Sequence, residues 1–146
     1  MSLDGAYDED NIFARILRDE IPSARVYEDD RVVALMDAFP QAHGHTLVIH
    51  RTSRARNLLD AEPQALKDLI VAVQKVSQAI RAALKPDGIV VTQFNGAPAG
   101  QTIFHLHFHI LPRWEGQGLG AHGRGQASPA DLAALAAQIA AKLPTA

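Results

Sequence analysis

The sequence lacks several features that would place it in particular protein classes. Its 146 residues include no cysteine, so disulfides and thiolate metal sites are excluded and a reducing compartment is favoured. No apolar run approaches the roughly 20 residues that a membrane-spanning helix needs. The acidic start MSLDGAYDED also lacks the apolar core of a signal peptide. We therefore expect a cytoplasmic protein that has no membrane partner.

The sequence also lacks a large excess of charge of either sign. Its formal net charge of −2 argues against nucleic acid or an anionic membrane surface as the main partner. Hydrophobic residues make up 47% and charged residues 21%, which is typical of a globular protein, and the length suits one domain over residues 1–146. Any anionic ligand must therefore be held by local donors.

The apolar periodicity predicts an α+β fold. Helical spacing occurs over residues 11–19 and most clearly over residues 64–84, and Ser128 and Pro129 open a last, shorter helix. Runs rich in β-branched residues predict about five strands, at 24–28, 31–37, 46–50, 89–94 and 105–111. We expect a meander order and a mainly antiparallel sheet with helices on one side. The core would span residues 11–114, followed by a C-terminal loop and helix at 115–146.

The stretch HLHFHIL, residues 105–111, places histidines at alternate positions. Side chains alternate across a strand, so His105, His107 and His109 are expected to share one face while the apolar residues between them pack in the core. Three adjacent buried imidazoles would each need hydrogen-bond partners. The sequence therefore predicts that the histidine face borders a cleft.

An imidazole face of this kind suits phosphate chemistry. A neutral ring, with an ordinary pKa near 6.5, attacks through one nitrogen when a carbonyl holds the other as N–H. Flanking imidazoles stabilise phosphate charge and pass protons. The preceding loop NGAPAGQT supplies small residues and polar donors. Upstream, Asp37 is a candidate acceptor for sugar hydroxyls and His45 is a candidate member of the cleft.

Other interpretations of the same residues stay open. His-X-His on a strand also binds zinc, which would make a metallohydrolase. The histidines would otherwise be structural, or belong to a nucleotide-binding module without turnover. Taken alone, Phe13, Ile16 and Ile21 fit a hydrophobic core better than a base pocket.

The sequence resembles the histidine triad family. HLHFHIL matches the signature His-φ-His-φ-His-φ-φ, and the blocks NIFARILRDEIPSARVYEDDRVVALMD, PQAHGHTLVIH and NGAPAGQTIFHLHFHILPRW extend the match over most of residues 11–114. Within the family, the chain resembles the branch of small nucleoside phosphoramidases and their bacterial relatives. The resemblance implies a homodimer whose two sheets join into one, and a covalent nucleotidyl-histidine formed at the α-phosphate of a purine nucleoside phosphoramidate or related conjugate. Dinucleoside polyphosphates are a rival substrate class, and no metal or other cofactor is expected.

The resemblance also implies a role for each matching residue. His107 would be the nucleophile and His109 would contact the phosphate. His105 would orient the others and hold the His107 ring with its carbonyl, and His45 matches the fourth histidine of the family. The nucleotide-binding set comprises Asp37 at the ribose, Phe13, Ile16, Ile21 and Leu47 at the base, and Asn95, Gln101 and Thr102 around the phosphate and leaving group.

The sequence departs from its relatives at a zinc site. Many bacterial relatives carry Cys-φ-Phe-Cys where this chain has Asn11 and Ala14, and Ser53 stands where a histidine often follows. We therefore predict no zinc of that type. The sequence assigns no role to His50, which replaces a common proline, nor to His122 and Trp114.

Overall fold

The computed structural model describes residues 3–119 and 125–144; His122 lies outside these ranges. In chain order the elements are α1 (Ile12–Leu17), β1 (Arg25–Glu28), β2 (Val32–Met36), β3 (Thr46–His50), α2 (Pro63–Leu84), β4 (Gly88–Thr92), β5 (His107–Arg113) and α3 (Pro129–Ala140). Short 3₁₀ turns occur at Leu58–Asp60 and Ala97–Ala99. The predicted α+β class with five strands, a long helix and shorter terminal helices is confirmed. Within the described ranges, no helix combines the length and the apolar character that crossing a membrane requires.

The five strands form one antiparallel sheet in the order β1-β2-β3-β5-β4. The predicted meander is wrong at one point, because β5 lies between β3 and β4. The reason is the connection through α2, whose 22 residues carry the chain across the sheet before β4 begins. The returning strand β5 then pairs with β4 on one side and β3 on the other, which places the histidine strand inside the sheet.

Helix α2 covers one face of the sheet. It begins with Pro63 at its first turn and ends at Lys85, which adopts the left-handed conformation at φ 53°. Its buried side chains Leu69, Val76 and Ile80 pack in the same cluster as Leu106 and Ile110 of the histidine strand region. Fully burying one such side chain stabilises the fold by about 1.5–3 kcal/mol, so this face anchors the strand from behind.

The opposite face of the sheet carries a smaller apolar cluster. Phe13 and Ile16 of α1 pack there against residues of β2 and β3, including Leu35 and Leu47. Helix α1 starts at this position because the Asn11 side chain accepts a hydrogen bond from the Ala14 amide at 3.0 Å. The cluster forms the floor of a cavity.

Candidate active site

A cavity of about 530 Å³ opens on the α1 face of the sheet. Its walls are mainly apolar, and they include Phe13, Ile16, Ile21, Leu35, Leu47 and Ile103. The polar groups on the walls include Asp37, Thr102, His107 and His109. An apolar cavity with a few converging polar groups is the usual form of a small-molecule site.

His107 has a fixed tautomer in this structure. Its Nδ1 lies 2.7 Å from the backbone carbonyl oxygen of His105, and a carbonyl only accepts hydrogen bonds. Nδ1 therefore carries a proton, and in the neutral ring the lone pair resides on Nε2. The ring also packs edge-on against Phe13, with 4.8 Å between the ring centroids. His107 thus presents an imidazole of defined orientation at the cavity wall.

A second chain of hydrogen bonds fixes His109. The Gln41 amide donates to Nδ1 of His45 at 3.1 Å, so the His45 proton must reside on Nε2. That Nε2 lies 3.0 Å from Nδ1 of His109 and 3.3 Å from a carboxylate oxygen of Asp37. Nδ1 of His109 therefore accepts, and its proton resides on Nε2. His109 is left as a hydrogen-bond donor at the cavity.

His105 occupies a different position from the one expected. It is buried behind His107 rather than on the cavity wall, with only 2% of its surface exposed. The prediction that all three histidines face the cleft is wrong, because regular pairing of β5 starts at His107 and the backbone before it turns away from the strand path.

The His105 ring is hydrogen-bonded at both nitrogens. Its Nε2 donates to the His50 carbonyl at 3.2 Å, and its Nδ1 accepts from the Tyr7 hydroxyl at 2.7 Å. Burial penalises the charged ring and lowers the pKa of His105 to about 4. The ring is therefore neutral at physiological pH.

Asp37 both caps a turn and reaches the cavity. One carboxylate oxygen accepts from the Phe39 amide at 2.8 Å, while the other faces His45. The side chain is buried and lines the cavity at the end of β2. The same carboxylate therefore stabilises the turn after β2 and reaches the cavity wall.

The remaining nucleotide-binding residues divide into two groups. Phe13, Ile16, Ile21, Leu47 and Thr102 line the cavity, and their contact with a nucleotide there stays a prediction.

The other two, Asn95 and Gln101, are not among the lining residues. The Gln101 side chain is buried and bonds the Gly96 amide and the Arg56 carbonyl, and Asn95 accepts from the Leu58 amide. These hydrogen bonds lie within the loop and its contact with residues 56–58, and the expected place of both residues around the phosphate and leaving group stays a prediction.

Asp37, His45 and His109 are near enough to one another to be considered as metal ligands, since one ligand atom of each lies within 4.8 Å of the others. The hydrogen bonding argues against this use. Nδ1 of His45 accepts a backbone N–H, so its Nε2 carries a proton and offers no lone pair to a metal. The cluster fits a proton-ordered network better than a metal site.

Of the positions to which the sequence assigned no role, His50 and Trp114 lie within the described residues. His50 donates from Nε2 to Asp68 at 3.1 Å, and its Nδ1 accepts from the Ser53 amide. Trp114 packs near His43, with 6.2 Å between the ring centroids.

Sequence reasoning missed two parts of the site. Tyr7 lies in an acidic N-terminal stretch with no periodicity, so nothing in the pattern marked it. The start of α3 was expected from Ser128 and Pro129, but not its packing: Ala127, Pro129 and Leu132 form one wall of the cavity. The Ala127 amide donates to the Ala38 carbonyl at 2.9 Å and ties this segment to the loop after β2.

Comparison with known proteins places this arrangement in a family. The sequence model of the HIT domain matches residues 18–116. A crystal structure described as a Hit-like protein involved in cell-cycle regulation from Bartonella henselae, with unknown ligand, has a TM-score of 0.91 and 51% identity, covering 95% of this chain and all of that one (100%).

Curated sequences agree. The protein named hit of Bacillus subtilis is 40% identical over 139 residues, which cover 92% of this chain and 95% of that protein. Adenylylsulfatase HINT3 of Arabidopsis thaliana is 38% identical over 106 residues, which cover 73% of this chain and 53% of that protein. With the domain match, these similarities and the four-histidine geometry taken together, the chain belongs to the HIT (histidine triad) family.

Proposed function

We propose that this protein is a nucleotide-binding hydrolase that also transfers nucleotidyl groups, and that it acts at the α-phosphate of nucleoside phosphoramidates or related nucleotide conjugates. The cavity would hold a purine nucleoside between the apolar residues of α1 and β3. Asp37 would accept hydrogen bonds from the ribose hydroxyls at the rim. These placements bring the α-phosphate to the wall formed by His107 and His109.

The observation that carries the proposal is the hydrogen bond from Nδ1 of His107 to the His105 carbonyl, at 2.7 Å. It directs the nucleophilic lone pair of a neutral imidazole onto Nε2, at a cavity wall. Attack on phosphorus then makes a cationic N-phosphoryl imidazole, and the His105 carbonyl stabilises the positive charge through the same hydrogen bond.

The reaction would proceed in two halves. In the first, Nε2 of His107 bonds to phosphorus while the bond from phosphorus to the leaving nitrogen breaks, and that nitrogen takes a proton and departs as an amine. In the second, water attacks phosphorus, the bond to His107 breaks, and the nucleoside monophosphate leaves. The attacking water releases one proton in the second half, which balances the proton that the departing amine took up in the first. His109 would donate from Nε2 to the phosphate oxygens in both halves.

Several substrate classes carry the same adenylate α-phosphate with different leaving groups. A relative named adenylylsulfatase is consistent with a leaving group on an adenylate, and dinucleoside polyphosphates place the same α-phosphate in a different context. We therefore propose to incubate the protein with an adenosine phosphoramidate, adenylyl sulfate and a diadenosine polyphosphate in parallel. Release of AMP identifies the class that is turned over fastest.

The covalent step has a direct test. Acid cleaves the phosphorus–nitrogen bond of a nucleotidyl-histidine. Reactions with the best of these substrates are therefore stopped with base and analysed by intact-mass and peptide mass spectrometry. We expect one added nucleotidyl group on His107. Normal hydrolysis without any adduct on this ring would refute the mechanism, and AMP binding without any turnover would favour a binding module.

We also propose that the protein forms a homodimer through β4. This strand is an edge of the sheet, and it leaves Val90 and Val91 exposed by 39% and 44%. Edge strands with exposed apolar residues are prone to pair with another chain. A dimer mass in light scattering, lost in Val91→Lys, would support an interface at this edge; a monomer at micromolar concentration would contradict it.

A further inference from the structure

The N-terminal residues 3–10 contact the triad from outside the part of the chain that matches the HIT domain, residues 18–116. Tyr7 is the contacting residue. Its hydroxyl lies 2.7 Å from Nδ1 of His105, and the centroids of the two rings are 5.8 Å apart. The mechanism proposed above uses His105 only through its carbonyl, so this contact needs its own account.

The direction of this hydrogen bond follows from the other side of the ring. Nε2 of His105 faces the His50 carbonyl at 3.2 Å and must donate to it. Nδ1 of the neutral ring is then an acceptor, and the Tyr7 hydroxyl is the donor. Burial raises the pKa of Tyr7, so the hydroxyl keeps its proton at neutral pH. The ring is therefore clamped between one donor and one acceptor.

The two hydrogen bonds that clamp the His105 ring lie just beyond the end of the β3–β5 pairing. Pairing of β5 with β3 extends only as far as His107 opposite Ile49, so the backbone of His105 lies beyond the regular ladder. The nearest backbone hydrogen bond runs from the Leu106 amide to the Ala55 carbonyl, at 2.9 Å. The two hydrogen bonds of the His105 ring add a restraint on the residue whose carbonyl holds His107.

Tyr7 is itself held in place by the loop after β3. The buried Asn57 side chain donates to the Leu3 carbonyl at 3.0 Å, and the Arg56 guanidinium donates to the Ala6 carbonyl at 3.2 Å. The Arg54 guanidinium lies over the Tyr7 ring, 5.2 Å from its centroid, and pairs with Glu9. These contacts fix residues 3–10 on both sides of the tyrosine.

We propose that Tyr7 is a positioning residue for the reaction: its hydroxyl locks the His105 ring, and the locked His105 aims the carbonyl that orients His107. The proposal rests on the function proposed above, because it takes His107 as the nucleophile. It extends the site beyond the triad strand to the N-terminal segment. Loss of the hydroxyl should lower the rate of chemistry and leave nucleotide binding nearly unchanged.

The chain offers a matched control, since it contains two tyrosines. Tyr7→Phe keeps the ring over which Arg54 packs and removes only the hydroxyl. Tyr27→Phe makes the same change where the hydroxyl bonds Asp29 and Lys75, at a residue that does not line the cavity. We expect Tyr7→Phe to lower kcat about three- to tenfold, the range for one lost hydrogen bond, with KM within about twofold. Tyr27→Phe should leave both constants within about twofold of wild type.

A spectroscopic measurement and a double-mutant cycle separate positioning from a general loss of stability. In ¹⁵N-labelled protein, the His105 Nδ1 resonance should shift in Tyr7→Phe towards that of an unbonded acceptor, and stay unchanged in Tyr27→Phe. In a His105→Asn background, Tyr7→Phe should have no further effect on kcat, because its target is gone.

The outcomes decide the proposal. An unchanged kcat in Tyr7→Phe, an equal loss in Tyr27→Phe, or a full loss that persists in the His105→Asn background would overturn it. Absence of a nucleotidyl adduct on wild-type His107 would instead overturn the function proposed above. In that case a Tyr7-specific fall in kcat with a shifted His105 resonance would still support the positioning of His105.

Discussion

The four histidines of the site form two pairs that differ in what they face. His107 and His109, the cavity histidines, lie on β5 and line the cavity. His45 and His105, the rear histidines, are 0% and 2% exposed and lie behind them. Each rear histidine holds one nitrogen of a cavity histidine: the His105 carbonyl holds His107, and the His45 ring holds His109.

The difference shows how one side-chain type serves two purposes. A cavity histidine needs one nitrogen accessible to a ligand and the other one fixed, so that its tautomer is defined. A rear histidine has both nitrogens engaged inside the protein, by Gln41 and His109 for His45, and by Tyr7 and His50 for His105. The rear pair therefore sets proton positions for the cavity pair, and the two pairs should respond differently to substitution.

The largest expected effect is at the cavity pair. His107→Asn keeps an amide N–H near the position of Nδ1, where it can still bond the His105 carbonyl, but it removes the nucleophile. We expect kcat to fall by at least about a thousandfold while nucleotide affinity changes little. Steady-state turnover and equilibrium binding of AMP measure the two quantities.

His43→Asn is the matched control for this change, because His43 is exposed and packs near Trp114. It should keep nearly full activity. Wild-type turnover in His107→Asn would remove the functional distinction between the two pairs.

A rear histidine should have a smaller effect, and its chemistry should be replaceable. His45→Phe fills the space but removes the donor to Nδ1 of His109, so we expect kcat to fall about ten- to a hundredfold. His45→Gln restores an N–H near the position of Nε2 and should recover part of that loss. If both variants are equally impaired, packing rather than the ordered proton explains the role of His45.

Asp37 is the residue proposed above to contact the ribose, so its substitution should affect binding selectively. Asp37→Asn retains an oxygen for the Phe39 amide but loses the charge, so KM should rise about tenfold for ribonucleotide substrates. For 2′,3′-dideoxy analogues, which lack the hydroxyls, the rise should stay within about twofold. Equal increases for both substrate types would exclude a ribose contact.

The smallest effect concerns stability rather than turnover. The pKa of His105 lies at about 4 in the folded protein, below its ordinary 6.5. Between these values the unfolded chain binds a proton that the folded chain does not, so the free energy of unfolding decreases as pH falls. The contribution of this ring is intact above pH 6.5, and about 3 kcal/mol is lost by pH 4.

Urea unfolding at several pH values between 7.5 and 4.5 measures this loss. His105→Asn lacks the titrating ring, so its stability should decrease less steeply over the same interval, whatever its stability at neutral pH. Parallel pH dependences for the two proteins would show that the ring does not stay neutral on burial.

The sequence by itself determined the local elements and the candidate reactive residues. Alternation of histidine with Leu106, Phe108 and Ile110 fixed one face of a strand, because side chains in a strand point alternately to its two sides. The stripe on α2 and the residues at its ends defined the helix in the same way, since both signals are local. The apolar residues of the cavity, such as Ile16 and Leu47, followed only from the family resemblance, because apolar periodicity cannot distinguish a core from a pocket.

Tertiary structure alone decided the strand order, the tautomers and the support of the triad. The position of β5 between β3 and β4 depends on how α2 crosses the sheet, which no local pattern records. The tautomers depend on the hydrogen-bond partners of each ring: those of His45 and His105 include Gln41 and Tyr7, and the contact between Tyr7 and His105 joins residues 98 positions apart. Such contacts are made by folding and are not encoded at any one position, so the hydrogen-bond partners of the rear histidine rings became visible only in three dimensions.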